Sequence, residues 1–166
     1  MRVLTILSLL LIAIKMGLSL AHALELPGKL RLDEAAYKTV QRIYYPGFTL
    51  GGLIGEFGGM IALAVLVYLM PFGTSRFWWT AAALLLLVTS HGTYWLMTHP
   101  VNNFWVKDFA MSSPGTAFFS TFAGRRAGHW TDLRNVWELS HVIRAGLDML
   151  SFISIAIATS PYPIDP

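Results

Sequence analysis

Four long apolar stretches constrain this chain more than any other feature. Residues 3–26, 48–70, 77–97 and 136–158 each provide about 20 largely apolar positions, the length at which a helix crosses the hydrocarbon core of a bilayer. With 55% of its residues hydrophobic and 13% charged, the chain is too apolar for a soluble domain of 166 residues. No dyad alternation suggests membrane β-strands. The expected fold is therefore all-α, an integral membrane four-helix bundle forming one transmembrane domain over residues 1–166.

The chain has no cysteine, which excludes disulfides and thiolate ligation of a metal or iron–sulfur cluster. The net charge of +3 is no sign of nucleic-acid binding, because the basic residues sit in short loops beside spans rather than in one stripe. Arg2 ahead of an apolar run, with Ala21-His22-Ala23 behind it, imitates a cleaved secretory signal. Lys15 interrupts that run and the apolar stretch continues past Gly17 to Leu26, so a retained helix is expected.

Basic residues set the expected orientation. Lys29, Arg31, Lys38 and Arg42 follow span one, and Lys107, Arg125, Arg126 and Arg134 follow span three, against Arg2 and Arg76 on the other side. The positive-inside rule places loops one and three in the cytoplasm and both termini outside it, with a bacterial inner membrane as the expected location. Loop one should be partly helical from Leu32-Asp33-Glu34 until Pro46 stops it. Loop three, rich in Ser, Gly and Phe over 112–128, is expected to lie on the membrane surface.

Each span carries groups that lipid penalises: Lys15 and His22, then Glu56, then His91, then Glu138, His141, Arg144 and Asp148. A charged side chain in the bilayer costs at least a few kcal/mol, so such groups face a bundle interior and mark a site. At about 1.5 Å of rise per residue, His22 and Glu25 near the end of span one match His141 and Glu138 near the start of span four. His91, with Ser90, Tyr94 and Thr98 on its face, enters at similar depth, and Glu56 lies slightly deeper. These residues are expected to converge in the cytoplasmic half. Gly51-xxx-Gly55-xxx-Gly59 lines one face of span two, for close helix packing or for room beside Glu56.

Several chemistries fit such a cluster. His22, Glu25, Glu56, His91, Glu138 and His141 resemble the carboxylate–histidine supply of a di-metal bundle, although only Glu138-Leu-Ser-His141 has the Glu-x-x-His order. Haem held by His22, His91 or His141 is a second option. Histidine and glutamate bases beside an apolar substrate cavity are a third. The plain alternative is a satisfied hydrogen-bond network in which Arg144 pairs with Glu138 or Asp148 along its own helix. Trp78, Trp79, Trp95, Trp105, Trp130 and Trp137 fall near span ends as interfacial anchors do, with Trp137 also placed to stack on a ligand. His129 is expected to be solvated in a loop, and His99 before Pro100 to cap carbonyls at a helix end.

The segment Trp130-Thr-Asp-Leu-Arg134-Asn-Val-Trp137-Glu138-Leu-Ser-His141-Val-Ile-Arg144-Ala resembles the last-span signature of the anthrone oxygenase-like family of small four-helix membrane proteins. Gly17-Leu-Ser-Leu-Ala-His22-Ala-Leu-Glu25-Leu-Pro27 and Pro100-Val-Asn102-Asn103 are similar to that family too, whereas residues 106–128 form a longer loop than is usual there. The resemblance implies cofactor-independent oxygenation of an anthrone to an anthraquinone. It points to His22, Asn102, Trp137, His141 and Arg144, of which His22, His141, Arg144 and Asn102 are expected to be catalytic. Trp137 is expected to bind substrate, and Glu56, His91 and Tyr94 of the polar cluster are expected to join it there. The leading expectation is an oxygenase-like or redox protein acting on a hydrophobic aromatic or quinone-like molecule. The competing one is a non-catalytic accessory subunit of a larger membrane complex that binds lipid, quinone or pigment, with the Ser8–Lys15–Ser19 stripe of span one turned to a partner.

Overall fold

The computed structural model describes residues 1–106, 117 and 129–160, with the side chains of 103–106 left out. The expected surface placement of loop three, its Lys107, Arg125 and Arg126, and the anchoring role of Trp105 lie outside the described residues. Five α-helices build the described part: α1 (Arg2–Lys29), α2 (Glu34–Leu69), α3 (Ser75–Thr93), α4 (His99–Val106) and α5 (Trp130–Thr159), with a π turn at Tyr94–Thr98 joining α3 to α4. Four stretches are long and apolar enough to cross a membrane, α3 through to Asn102 counting as one. They form an all-α bundle in which α1 packs on α2 and α5, and α3 packs on the same two helices from the other side.

The helices begin where their caps dictate. The Asp33 carboxylate accepts from the Ala36 backbone N–H at 2.8 Å, and the Thr74 hydroxyl accepts from the Phe77 N–H at 3.2 Å. Gly73, at φ 84°, makes the tight turn between α2 and α3.

Pro46 does not stop a loop-one helix. It lies inside α2, which runs unbroken for 36 residues, and Pro27 likewise lies inside α1. Neighbouring elements in a bundle support carbonyls that a proline leaves without a donor, so span helices tolerate the residue. His99 opens α4 rather than closing the span. The π turn before it accommodates Pro100, whose missing N–H deprives the Leu96 carbonyl of its regular donor, and the chain continues as α4.

The glycine stripe of α2 takes the packing role. A Cβ on Gly55 would stand 2.9 Å from the Lys15 backbone nitrogen and 3.0 Å from the Leu11 carbonyl, so α1 approaches there by backbone contact. Gly51 meets Leu18, Gly58 meets Leu11, and Gly59 meets Leu87 and Ile12.

Two cores lie at opposite ends. Ile12, Leu63, Leu66, Ala83, Leu87, Ile155 and Ala158 form an aliphatic core, joined by Leu4, Met70 and Trp79, so the start of α1, the end of α5 and the α2–α3 turn share that end. Tyr37, Tyr45, Val101, Leu133 and Trp137, joined by Leu32 and Trp130, form an aromatic core at the other. The polar groups lie between and around the second core.

Candidate functional site

Glu56 is the hub of the deeper polar layer. It sits about 20 Å along α2 from Leu69, and Lys15 stands about 20 Å along α1 from Arg2, so the two meet near mid-bundle. The Glu56 Oε2 accepts from the Arg144 Nη2 at 2.8 Å and faces the Lys15 ammonium at 3.8 Å. Its Oε1 accepts from the His91 Nδ1 at 2.9 Å, and His91 Nε2 accepts from the Trp95 indole N–H at 2.9 Å. An indole only donates and a carboxylate only accepts, so this His91 is neutral and both ring nitrogens are engaged. Lys15 also donates to Asp148 Oδ2 at 2.5 Å and to Ser19 at 2.8 Å, while Ser19 donates to the same carboxylate oxygen at 2.6 Å. Glu56 thus ties cations or donors from three other helices. Arg144 reaches across to Glu56, not along its own helix to Glu138 or Asp148. The Ser8–Lys15–Ser19 stripe is buried against the bundle, so it offers no face to a partner.

The second layer surrounds His22 and His141, which lie about 30 Å and 27 Å along their helices from the shared aliphatic end. Their rings meet at 4.5 Å between centroids in an edge-on contact. Trp137 lies 3.9 Å from His141 and 5.0 Å from His22, with Phe48 at 4.5 Å and Tyr44 at 6.1 Å completing a sleeve around His22. Both imidazoles are buried, whereas Tyr44 and Phe48 are half-buried and lead outward from α2.

Their hydrogen bonds set the two imidazoles in opposite tautomers. The Lys29 ammonium can only donate, and it stands 3.1 Å from His22 Nδ1, so that nitrogen accepts and neutral His22 carries its proton on Nε2. The Trp137 carbonyl can only accept, and it lies 2.8 Å from His141 Nδ1, so that nitrogen holds the proton and neutral His141 offers Nε2 as a lone pair. Of two rings in contact, one thus carries a donor Nε2 and the other an acceptor Nε2.

The surrounding shell fixes these rings. Asn102 Oδ1 accepts from Tyr45 at 2.6 Å and from the Trp137 indole at 3.0 Å, while its amide nitrogen donates to the Tyr94 hydroxyl at 3.4 Å. Tyr94 stands 3.0 Å from His99 Nδ1 and lies 5.2 Å beneath the Arg144 guanidinium. The Ser140 hydroxyl donates to the Trp137 carbonyl at 2.6 Å, which leaves Thr98 to donate to Ser140 at 2.8 Å. Glu138 Oε1 accepts from Tyr37 at 2.6 Å and faces Lys29 at 3.6 Å. Among the described residues, Glu138 Oε2, Arg144 Nε, Asp148 Oδ1 and both polar atoms of Gln41 are buried and find no hydrogen-bond partner.

The expected site residues thus divide into two groups. His22, Trp137, His141 and Asn102 come together, with Glu138 and Glu25 beside them. His91, Glu56 and Arg144 form the adjoining layer, linked to the first through Tyr94. Sequence reasoning missed Lys29, assigned to a loop but 4% exposed at the end of α1, and Tyr37, Gln41 and Tyr45. Those three recur every four residues and continue the stripe of α2 past Pro46, a signal present in the sequence. Trp137 is buried and His129 caps α5, while Trp78 remains exposed as an anchor would.

The metal and haem options find no fit here. Among the described residues no three of His, Asp and Glu stand together as a metal-holding group. Ammonium groups occupy the focal points instead, Lys29 between His22, Glu25 and Glu138, and Lys15 between Asp148 and Glu56. Two imidazoles 4.5 Å apart leave no space for a macrocycle between them, and both nitrogens of His91 are taken. Comparison with family models, curated proteins and solved structures finds no match for the chain.

Proposed function

We propose that this protein binds a flat, hydrophobic aromatic or quinone-like molecule at the His22–His141 pair and oxygenates it in an anthrone oxygenase-like manner. The observation that carries the reading is the opposed pair of tautomers inside an aromatic sleeve. His141 Nε2 takes a proton from an activated C–H, and the Arg144 guanidinium, whose Nε is uncommitted, stabilises the resulting enolate oxygen. The carbanion adds dioxygen, and His22 Nε2–H protonates the peroxide. Loss of water then leaves a carbonyl where the CH₂ stood. Trp137 supplies a stacking face, and Asn102 acts by holding Trp137 and Tyr94, since its carbonyl oxygen already accepts two hydrogen bonds.

Oxygen uptake with 1,8-dihydroxyanthrone tests this. Protein in lipid nanodiscs should accelerate uptake, and His141→Gln should lower the rate by about 10²–10⁴-fold while the variant stays folded. Wild-type protein that leaves the uncatalysed rate unchanged, or a fully active His141→Gln, would sink the reading. The accessory-subunit alternative draws support from the closed network around Glu56, and it gains if the chain copurifies with a membrane complex and shows no such turnover.

The end bearing Lys29, Arg31, Lys38, Arg42 and Arg134 is proposed to face the cytoplasm of a bacterial inner membrane, by the positive-inside rule. The chain has no native cysteine, so single cysteines at Arg31 and at Phe72 report cleanly. In intact cells an impermeant thiol reagent should label the Phe72 site and spare the Arg31 site. The reverse pattern inverts the orientation.

A further inference from the structure

Lys29 is an unusual neighbour for a histidine. Its ammonium is buried, yet it bridges a partly exposed carboxylate and the inner imidazole. Glu25 is a partly exposed carboxylate, with 32% of its side chain accessible, and its Oε2 lies 3.1 Å from Lys29 Nζ. The same Nζ lies 3.1 Å from His22 Nδ1. The three residues follow one another at i, i+3 and i+7 on α1 and therefore share one helical face. Glu138, 3.6 Å from Nζ on the far side, and the aromatic faces of Tyr44 and Trp137 at 5.4 and 5.2 Å hold the ammonium in place. Past His22 Nδ1 the route crosses the ring to Nε2, and that ring packs 4.5 Å from His141 between centroids. At the opposite end of the bundle the aliphatic core around Ile12, Leu66, Leu87 and Ile155 offers no comparable relay.

We propose that Glu25, Lys29 and His22 form a proton entry path from the α1–α2 turn to the His22 Nε2 edge. In the step, the Lys29 N–H bond breaks and its proton bonds to the lone pair of His22 Nδ1. The His22 Nε2–H bond breaks in concert, and its proton passes to an acceptor at that edge. The Glu25 carboxylate takes a proton from bulk water at its partly exposed side chain and passes it to Lys29, now a neutral amine, so that both return to their starting charge. His22 changes tautomer, and ring rotation or back-exchange restores it. The path rests on the proposed function only for the identity of that acceptor, a peroxide oxygen during turnover. In the resting protein the acceptor is water.

The test uses the full chain, ¹⁵N-labelled at histidine, in phosphatidylcholine–phosphatidylglycerol nanodiscs, with His22 and His141 resonances assigned by single His→Gln variants. His22 should show Nε2–H and an unprotonated Nδ1. Glu25→Gln and Lys29→Arg should each slow exchange of the His22 ring proton with D₂O by about tenfold or more, because arginine keeps the charge and the donor but does not release a proton. Glu25 lies at the surface and Lys29→Arg preserves the ion pairs, so unchanged melting shows that both variants fold. Wild-type exchange in both folded variants, or a His22 proton on Nδ1, overturns the path. Slowed exchange in a protein that fails to turn over the anthrone supports the path and removes the proposed reaction instead.

Discussion

The two ends of this bundle are held together by different means. At the end shared by the start of α1 and the end of α5, Ile12, Leu63, Leu66, Leu87 and Ile155 interlock as apolar side chains, with Ser151 donating to the Ala83 carbonyl at 2.8 Å as a polar link across helices. Lipid tails are as apolar as leucine, so what favours such contacts over lipid is fit rather than removal from water. At the other end, aromatic rings and tightly partnered polar groups bring the helices together, and each group depends on several others. A packing defect in the first half stays local, whereas removal of one hub in the second strands charges on several helices. The glycine stripe serves both halves, since Gly59 packs on Leu87 while Gly55 lets α1 approach beside the Lys15–Glu56 pair.

The largest test of that contrast is Glu56→Leu. It leaves Arg144, Lys15 and His91 without their shared acceptor, and a buried charge without its partner costs about 3–5 kcal/mol. Unfolding in mixed micelles should show that loss, and the double change Glu56→Leu with Arg144→Met should recover part of it. A double variant no more stable than the single one would mean that the layer is not a coupled unit.

A smaller effect is expected from Leu87→Ala in the aliphatic half. It removes buried contacts but strands no polar group, and about 2 kcal/mol is expected, near the low end for such truncations because lipid solvates the unfolded reference well. The anthrone reaction should keep its wild-type rate per folded molecule. A variant that folds normally but loses turnover would show that the two halves are mechanically coupled. Smallest is Tyr45→Phe, which takes one of two donors from Asn102 Oδ1 while the Trp137 indole remains, and about 1 kcal/mol is expected. Equality of the Leu87 and Tyr45 losses would erase the distinction drawn here.

The sequence by itself determined the fold class. Apolar stretches of bilayer length admit only helices or a closed barrel, and the absence of dyad alternation leaves helices. It also determined which side chains must turn inward, because Lys15, His22, Glu56, Glu138, His141, Arg144 and Asp148 are too costly to leave in lipid. Helical rise alone matched His22 to His141 in depth. What only the tertiary structure decided is who pairs with whom. Spacing along one helix offered Arg144 the carboxylates of Glu138 and Asp148, but the neighbouring helices offered better geometry, and Glu56 took the arginine while Lys15 took Asp148. Lys29 reads in sequence as a loop charge, yet the continuation of α1 through Pro27 carries it into the bundle. Tyr37, Gln41 and Tyr45 were hidden behind Pro46, whose effect depends on the surroundings of the helix rather than on the residue itself. Pairing is a property of helix rotation and contact across the bundle, which one-dimensional spacing does not encode. The tautomers of His22 and His141 are set instead by neighbours on their own helices, the Lys29 ammonium that can only donate and the Trp137 carbonyl that can only accept.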